Sequence, residues 1–181
     1  MKQTIRSKTR DAAFQFRMGA GFPGDVNRTH PVDILAELID AASPPTLYGQ
    51  AVLLGAANAG VRPFVTGDTA QAAYGVTVRP YPSQQANSVP QNGAIGFGSG
   101  TPPTTGVMDV LRRGYIMVLL PAGGTPVKGD GVYVRVAASA TTHVMGAFEA
   151  GADGGNNVLL SNAIFNGSPD ANGNVEIAFN I

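Results

Sequence analysis

Apolar and polar residues alternate with period two at several places along the chain. Phe14, Phe16 and Met18 alternate with Gln15 and Arg17. Tyr74, Val76 and Val78 run into Arg79-Pro80, and Val132, Val134 and Val136 alternate with Tyr133 and Arg135. Near the end, Val175, Ile177, Phe179 and Ile181 alternate with Glu176, Ala178 and Asn180. Successive strand residues point to opposite faces, so each pattern predicts a strand with one buried and one solvated face. The run Tyr115 to Leu120 is different, being continuously apolar between Gly114 and Pro121. It predicts a central strand covered on both faces.

Turn signals separate these segments. Asn92-Gly93, Asp130-Gly131, Asp153-Gly154, Asn166-Gly167 and Asn172-Gly173 are pairs that favour positive φ. Short strands at intervals of about 8–12 residues with such turns point to an all-β sandwich or barrel. The one helix candidate is Val32 to Ala42, where Val32, Leu35, Ala36 and Ile39 would share a face and Pro31 could start the first turn. The pairs Ile34-Leu35 and Leu38-Ile39 fit an irregular strand equally well, and Pro44-Pro45 ends the segment in either case.

Composition adds to this picture. Charged residues make up 13% of the 181, against roughly 25% in ordinary domains, while Gly (24) and Pro (13) are abundant. The surface is therefore poor in charge, as the buried centre of a protein interface is, or else rich in small polar turn residues. A chain this long can bury roughly 70% of its unfolded surface without staples, and it contains no cysteine. Net charge is zero but uneven. Of the 12 basic residues, Lys2, Arg6, Lys8 and Arg10 fall in the first ten positions, where there is no acid, leaving eight against 12 acidic ones. A basic N-terminal arm at 1–10 is expected ahead of a single β domain at 11–181. Such an arm is a solvated tail or a contact to an acidic partner. Tyr81 to Gly106 carries four prolines and no charge, which predicts a long loop at 82–106, exposed or lying over a neighbouring subunit.

The search for chemistry yields little. His30 and His143 are the only histidines, and neither has a nearby partner of the kind a zinc helix or a nucleophile elbow supplies. Gly96-Phe97-Gly98-Ser99-Gly100 lacks the lysine and helix of a phosphate loop. Asp170 to Asn174 alternates oxygen side chains as a calcium loop does, but the sixth position is not Gly and the twelfth is Ile181, so a hairpin turn is expected. No catalytic, cofactor-binding or metal-ligating set is predicted. The acidic balance of the body argues against nucleic acid, and no apolar run approaches the roughly 20 residues of a membrane span. The chain reads as soluble and unprocessed, without a small-molecule substrate.

In its N-terminal half the chain carries, in order, Phe14-Gln15-Phe16-Arg17-Met18, Gly21-Phe22-Pro23-Gly24-Asp25-Val26, Pro44-Pro45 with Tyr48-Gly49, Gly67-Asp68-Thr69, and Tyr74-Gly75 leading to Val78-Arg79-Pro80-Tyr81-Pro82. This succession, over about residues 12–85, resembles the structural cement (decoration) proteins of tailed phages. Gly129-Asp130-Gly131-Val132-Tyr133 and the Val175-Glu176-Ile177 ending are similar more loosely. The resemblance implies a jelly-roll or barrel-like β fold, a homo-oligomer (dimer or trimer), and binding to the major capsid protein on the outer capsid surface, after residence in the host cytoplasm before assembly.

Capsid-interface candidates are the arm residues Lys2, Arg6, Lys8 and Arg10 and the loop aromatics Phe22, Tyr81 and Phe97. The same aromatics would serve an alternative role, a carbohydrate- or receptor-binding β module displayed on the virion. A hydrolase using His30 or His143 is a third reading.

Overall fold

The computed structural model describes residues 21–56, 60–80, 101–137 and 142–181. Within them lie nine strands: β1 (Asp33–Leu38), β2 (Ala51–Leu54), β3 (Val61–Pro63), β4 (Gly75–Thr77), β5 (Val107–Leu119), β6 (Gly131–Arg135), β7 (Phe148–Glu149), β8 (Asn157–Phe165) and β9 (Asn174–Phe179). All pair antiparallel, in the order β3-β2-β4-β5-β9-β8-β6-β7, with β1 as a branch on β5.

β5 organises the fold because it belongs to two sheets. Its first half pairs with β1 (Leu35 opposite Val110) and with β4 (Val76 opposite Leu111). Its second half pairs with β9, Ile116 opposite Ile177. Gly114 lies at the change of partners with φ 144°, and a Cβ there would come within 2.8 Å of the Pro31 carbonyl oxygen. A side chain is therefore excluded where the chain before β1 crosses β5.

The two sheets face one another across the larger of two apolar cores. Ala51, Val76 and Leu111 come from one sheet, and Val118, Val134, Phe148, Phe165, Ile177 and Phe179 from the other, with Phe64 between them. Phe64, Phe148, Phe165 and Phe179 are fully buried. A second cluster, Ile39, Val52, Val61, Met108 and Val110, covers the outer face of the β2–β3–β5 region.

Polar side chains fasten the loops between strands. Gln50 Oε1 accepts from the Thr46 and Leu47 amides at 2.9 and 3.2 Å while its Nε2 donates to the Met145 carbonyl at 2.9 Å. Asn162 pairs with both backbone groups of Ala73, and Asp170 Oδ1 accepts from the Asn172 and Asn174 amides at 2.9 Å, closing the β8–β9 hairpin. The expected plain turn at Asp170 is therefore present.

The patterns at 74–78, 132–136 and 175–181 correspond to β4, β6 and β9, and Tyr115 to Leu119 of the apolar run form the inner half of β5. Val32 to Ala42 contains strand β1, not a helix, because its backbone bonds to β5 and only Ile39 enters a core. Two turn readings need correction. Gly154 and Gly173 have positive φ, whereas Gly131 lies in β6 and Gly167 is not in the positive region; Gly129 takes that role at the start of β6. The alternation at 14–18, the pair Asn92-Gly93 and most of the 82–106 loop lie outside the described residues.

Candidate functional site

The Gly21 to Asp25 block forms a tight turn that lies on β5. Asp25 Oδ2 accepts from the Phe22 amide at 2.8 Å, and the Asp25 amide returns to the Phe22 carbonyl at 3.0 Å. Gly24 N donates to Met117 O at 2.8 Å and Met117 N to Asp25 O at 2.9 Å, while Arg79 N donates to Gly24 O at 2.9 Å. A Cβ on Gly24, whose φ is 90°, would lie 2.8 Å from Arg79 N. Only glycine lets the turn dock between β5 and the end of β4.

This turn presents Phe22, which is 65% exposed. The Arg79 guanidinium lies 5.4 Å from its ring centre and 5.3 Å from that of Tyr48, so one cation is near both aromatics. Burial pushes the Tyr48 hydroxyl above its usual pKa. Beside the turn, a groove of about 590 Å³ is lined by Asp25, Val26, Ile34, Val78, Arg79 and Asp109, among others. Of the predicted interface residues, Phe22 is the one the described structure contains; Lys2, Arg6, Lys8, Arg10, Tyr81 and Phe97 lie outside the described residues.

The groove leads to β1, where sequence reasoning found no site. Ile34, Leu35 and Leu38 are 38, 44 and 60% exposed, and Val107, opposite Leu38, is 55% exposed. β1 pairs with β5 on one side, and no strand among the described residues pairs with its other edge. Among the described residues this edge is unpaired, and it carries apolar side chains on both faces. The signal was present in the sequence as Ile34-Leu35 and Leu38-Ile39, but a helical period accommodated the same residues.

A second feature is an ionic cluster behind β6. Arg135 and Glu149 are buried, and Arg135 Nη1 lies 3.6 Å from Glu149 Oε1, bonds to Asp153 and lies 3.5 Å from His143 Nδ1. His143 Nδ1 lies 2.7 Å from Glu149 Oε1, and Asn157 Nδ2 donates to Glu149 Oε2 at 2.5 Å. The bond from Arg135 holds the Asp153 carboxyl below its usual pKa. Ligand atoms of His143, Glu149 and Asp153 fall within 4.8 Å of one another, a spacing that suits a divalent cation. The Arg135 guanidinium already lies among them, so the cluster carries its own cation and does not fit a metal. His143 thus has a partner that sequence spacing did not reveal, whereas His30 is exposed.

Two further ion pairs fix loops. Arg62 forks onto Asp68 at 2.8 and 3.0 Å, Asp68 also accepts from the Val65 amide at 2.7 Å, and the Arg62 bond holds the Asp68 carboxyl below its usual pKa. The Gly67-Asp68-Thr69 motif therefore locks a turn. Arg28 forks onto Glu176 at 3.0 and 2.6 Å and lies 4.2 Å over the Tyr115 ring, securing the crossing segment against β9 and β5.

Comparison with known proteins places these features in a family. Among solved structures, a chain of "The capsid of Myoviridae Phage XM1" superposes with a TM-score of 0.65 at 19% identity, covering 91% of this chain and 93% of that one. At that identity the likeness shows the fold. No curated protein matches. A family model described as XM1 gp53 minor capsid protein matches residues 12–179 and so takes in the C-terminal half, where the motif resemblance is looser. The chain belongs to the XM1 gp53 minor capsid protein family, a family of tailed-phage capsid proteins.

Proposed function

We propose that this chain is a non-catalytic structural virion protein that binds the outer surface of its phage capsid and stabilises the shell by bridging major capsid protein subunits. The observation that carries the reading is family membership over residues 12–179. The exposed apolar residues of β1 and the Phe22 turn supply the chemistry such binding needs, because they can be covered without desolvating charge. In this reading the arm at 1–10, with Lys2, Arg6, Lys8 and Arg10, and the aromatics Phe22, Tyr81 and Phe97 contact the shell. The β domain at 11–181 works as a homo-oligomer, a dimer or trimer, with the 82–106 loop laid over a neighbour.

A site that spans two capsid subunits exists only in the assembled shell, so binding stabilises assembly by mass action, and an oligomer multiplies a moderate contact into avidity. The test is co-sedimentation of the purified chain with empty capsids of its own phage, followed by thermal opening of the pellet. Saturable binding and a raised opening temperature are expected. Failure to bind, or binding with an unchanged opening temperature, would overturn the reading.

A further inference from the structure

We infer that the outer edge of β1, which no strand among the described residues covers, receives residues 14–18 of a second copy of this chain as an added antiparallel strand. The inference deepens the homo-oligomer part of the proposed function and does not depend on capsid binding. It rests first on the edge itself, whose Ile34, Leu35 and Leu38 are exposed and whose outer backbone groups have no strand partner among the described residues. Added strands satisfy such an edge through main-chain hydrogen bonds and take specificity from alternate side chains.

The second support is complementarity of sequence. β1 reads Asp33-Ile34-Leu35-Ala36-Glu37-Leu38, and the segment reads Phe14-Gln15-Phe16-Arg17-Met18. Antiparallel, with Phe14 opposite Leu38, Phe16 opposite Ala36 and Met18 opposite Ile34, every apolar residue of the segment meets an apolar partner, and Phe16 meets the small Ala36. The same register sets Gln15 opposite Glu37 and Arg17 opposite Leu35, diagonal to both Asp33 and Glu37. A shift of one residue would put Phe14 and Phe16 opposite Glu37 and Leu35 and turn the whole apolar set to the other face. Charge agrees as well, since β1 carries two acids and no base while residues 1–18 carry five bases and one acid.

Chain length assigns the segment to a second copy. Gly21 lies beside Met117, because a Cβ on it would meet Met117 Cγ at 3.1 Å. In the register above, Met18 belongs next to Ile34, itself opposite Leu111. Three residues reach at most about 10 Å. Two strand spacings from β5 across β1 to the new strand use about 10 Å of that. Nothing remains for the six positions along β5 that separate Met117 from Leu111.

The test uses the full chain, which has no cysteine of its own. Phe16→Cys with Ala36→Cys places two thiols on opposed positions, and Phe14→Cys with Leu38→Cys is a second pair in the same register. After mild oxidation we expect non-reducing gels to show bands at or above twice the 18.5 kDa chain for both pairs. Each single-cysteine variant should give at most a minor dimer band. A bridge that leaves the band at the monomer position would mean that each chain covers its own edge, and would overturn the inference. So would the absence of any bridge in both pairs. Sedimentation of the unaltered chain separates the two levels: an oligomer without cross-links overturns the arm exchange alone, and a monomer overturns the homo-oligomer as well.

Discussion

The Tyr74 hydroxyl donates to Glu37 Oε1 at 2.5 Å, joining the side chain next to β4 to the exposed strand β1. The Arg112 guanidinium lies 3.5 Å over the Tyr74 ring, so one aromatic carries a cation on its face and a carboxylate at its tip. Beside the β5 ladder, this bond tethers β1 through a side chain, at an edge that no described strand covers.

Tyr74→Phe should loosen that edge. A net loss of about 0.5–1.5 kcal/mol is expected for one such bond, with faster amide exchange in Ile34 to Leu38 than elsewhere. The Glu37 bond raises the Tyr74 pKa above its ordinary value of 10.0. A raised folded value means that the contribution is full below that pH and is lost as pH climbs through the folded pKa. The difference between wild type and Tyr74→Phe in denaturant melts should therefore hold at pH 7 and shrink in the alkaline range.

Asp68 titrates in the opposite sense. Its folded pKa is depressed below 3.8, chiefly by the bond from Arg62, so its contribution is present above the ordinary carboxylate range and disappears as pH falls through the folded value. Asp68→Asn should cost about 1–3 kcal/mol at pH 7. The two proteins should converge in stability as pH falls below the ordinary carboxylate range, and a constant gap across the acid branch would contradict the assignment.

Arg135 is expected to be the most sensitive charged position. Its removal leaves Glu149 buried with only His143 and Asn157 as side-chain partners among the described residues, and breaking a buried pair typically costs about 3–5 kcal/mol. Arg135→Ala should show this loss in equilibrium unfolding. Arg135→Met, which keeps the volume, tests whether charge or packing is responsible: a loss as large in Arg135→Met as in Arg135→Ala assigns it to charge.

Phe22 should behave in the reverse manner, because its ring is mostly in solvent. Phe22→Ala is expected to leave the melting temperature within about 2 °C, as an exposed substitution does, while weakening association with capsids in the co-sedimentation assay. Unchanged capsid binding would remove Phe22 from the proposed interface.

Legibility in the sequence followed how strongly each segment was committed to one period. β4, β6 and β9 were readable because Val76, Val132, Val134, Val175 and Ile177 alternate cleanly with polar neighbours, and inner β5 because Ile116 to Val118 are buried together. β1 was ambiguous because Ile34-Leu35 and Leu38-Ile39 satisfy both periods, and its true partner, Val110, is 75 residues away. β8 was missed, since Leu159 and Ile164 break its alternation by facing solvent. The ionic cluster was hidden for a different reason: Arg135, His143, Glu149 and Asp153 have no motif spacing, and only the β6–β7 pairing brings them together. Phe22 was legible as an exposed turn aromatic because Gly21 and Gly24 frame it.

The single strand β5 has a mechanical consequence. Thirteen consecutive residues run from one sheet into the other, so the two layers are coupled by covalent bonds as well as by packing. Detaching β9 exposes the same strand that β1 and β4 need, and neither layer keeps its edge when the other is lost. Heat or tension applied at either face should therefore melt both in one cooperative step, and the protein would yield as a rivet does, whole and all at once.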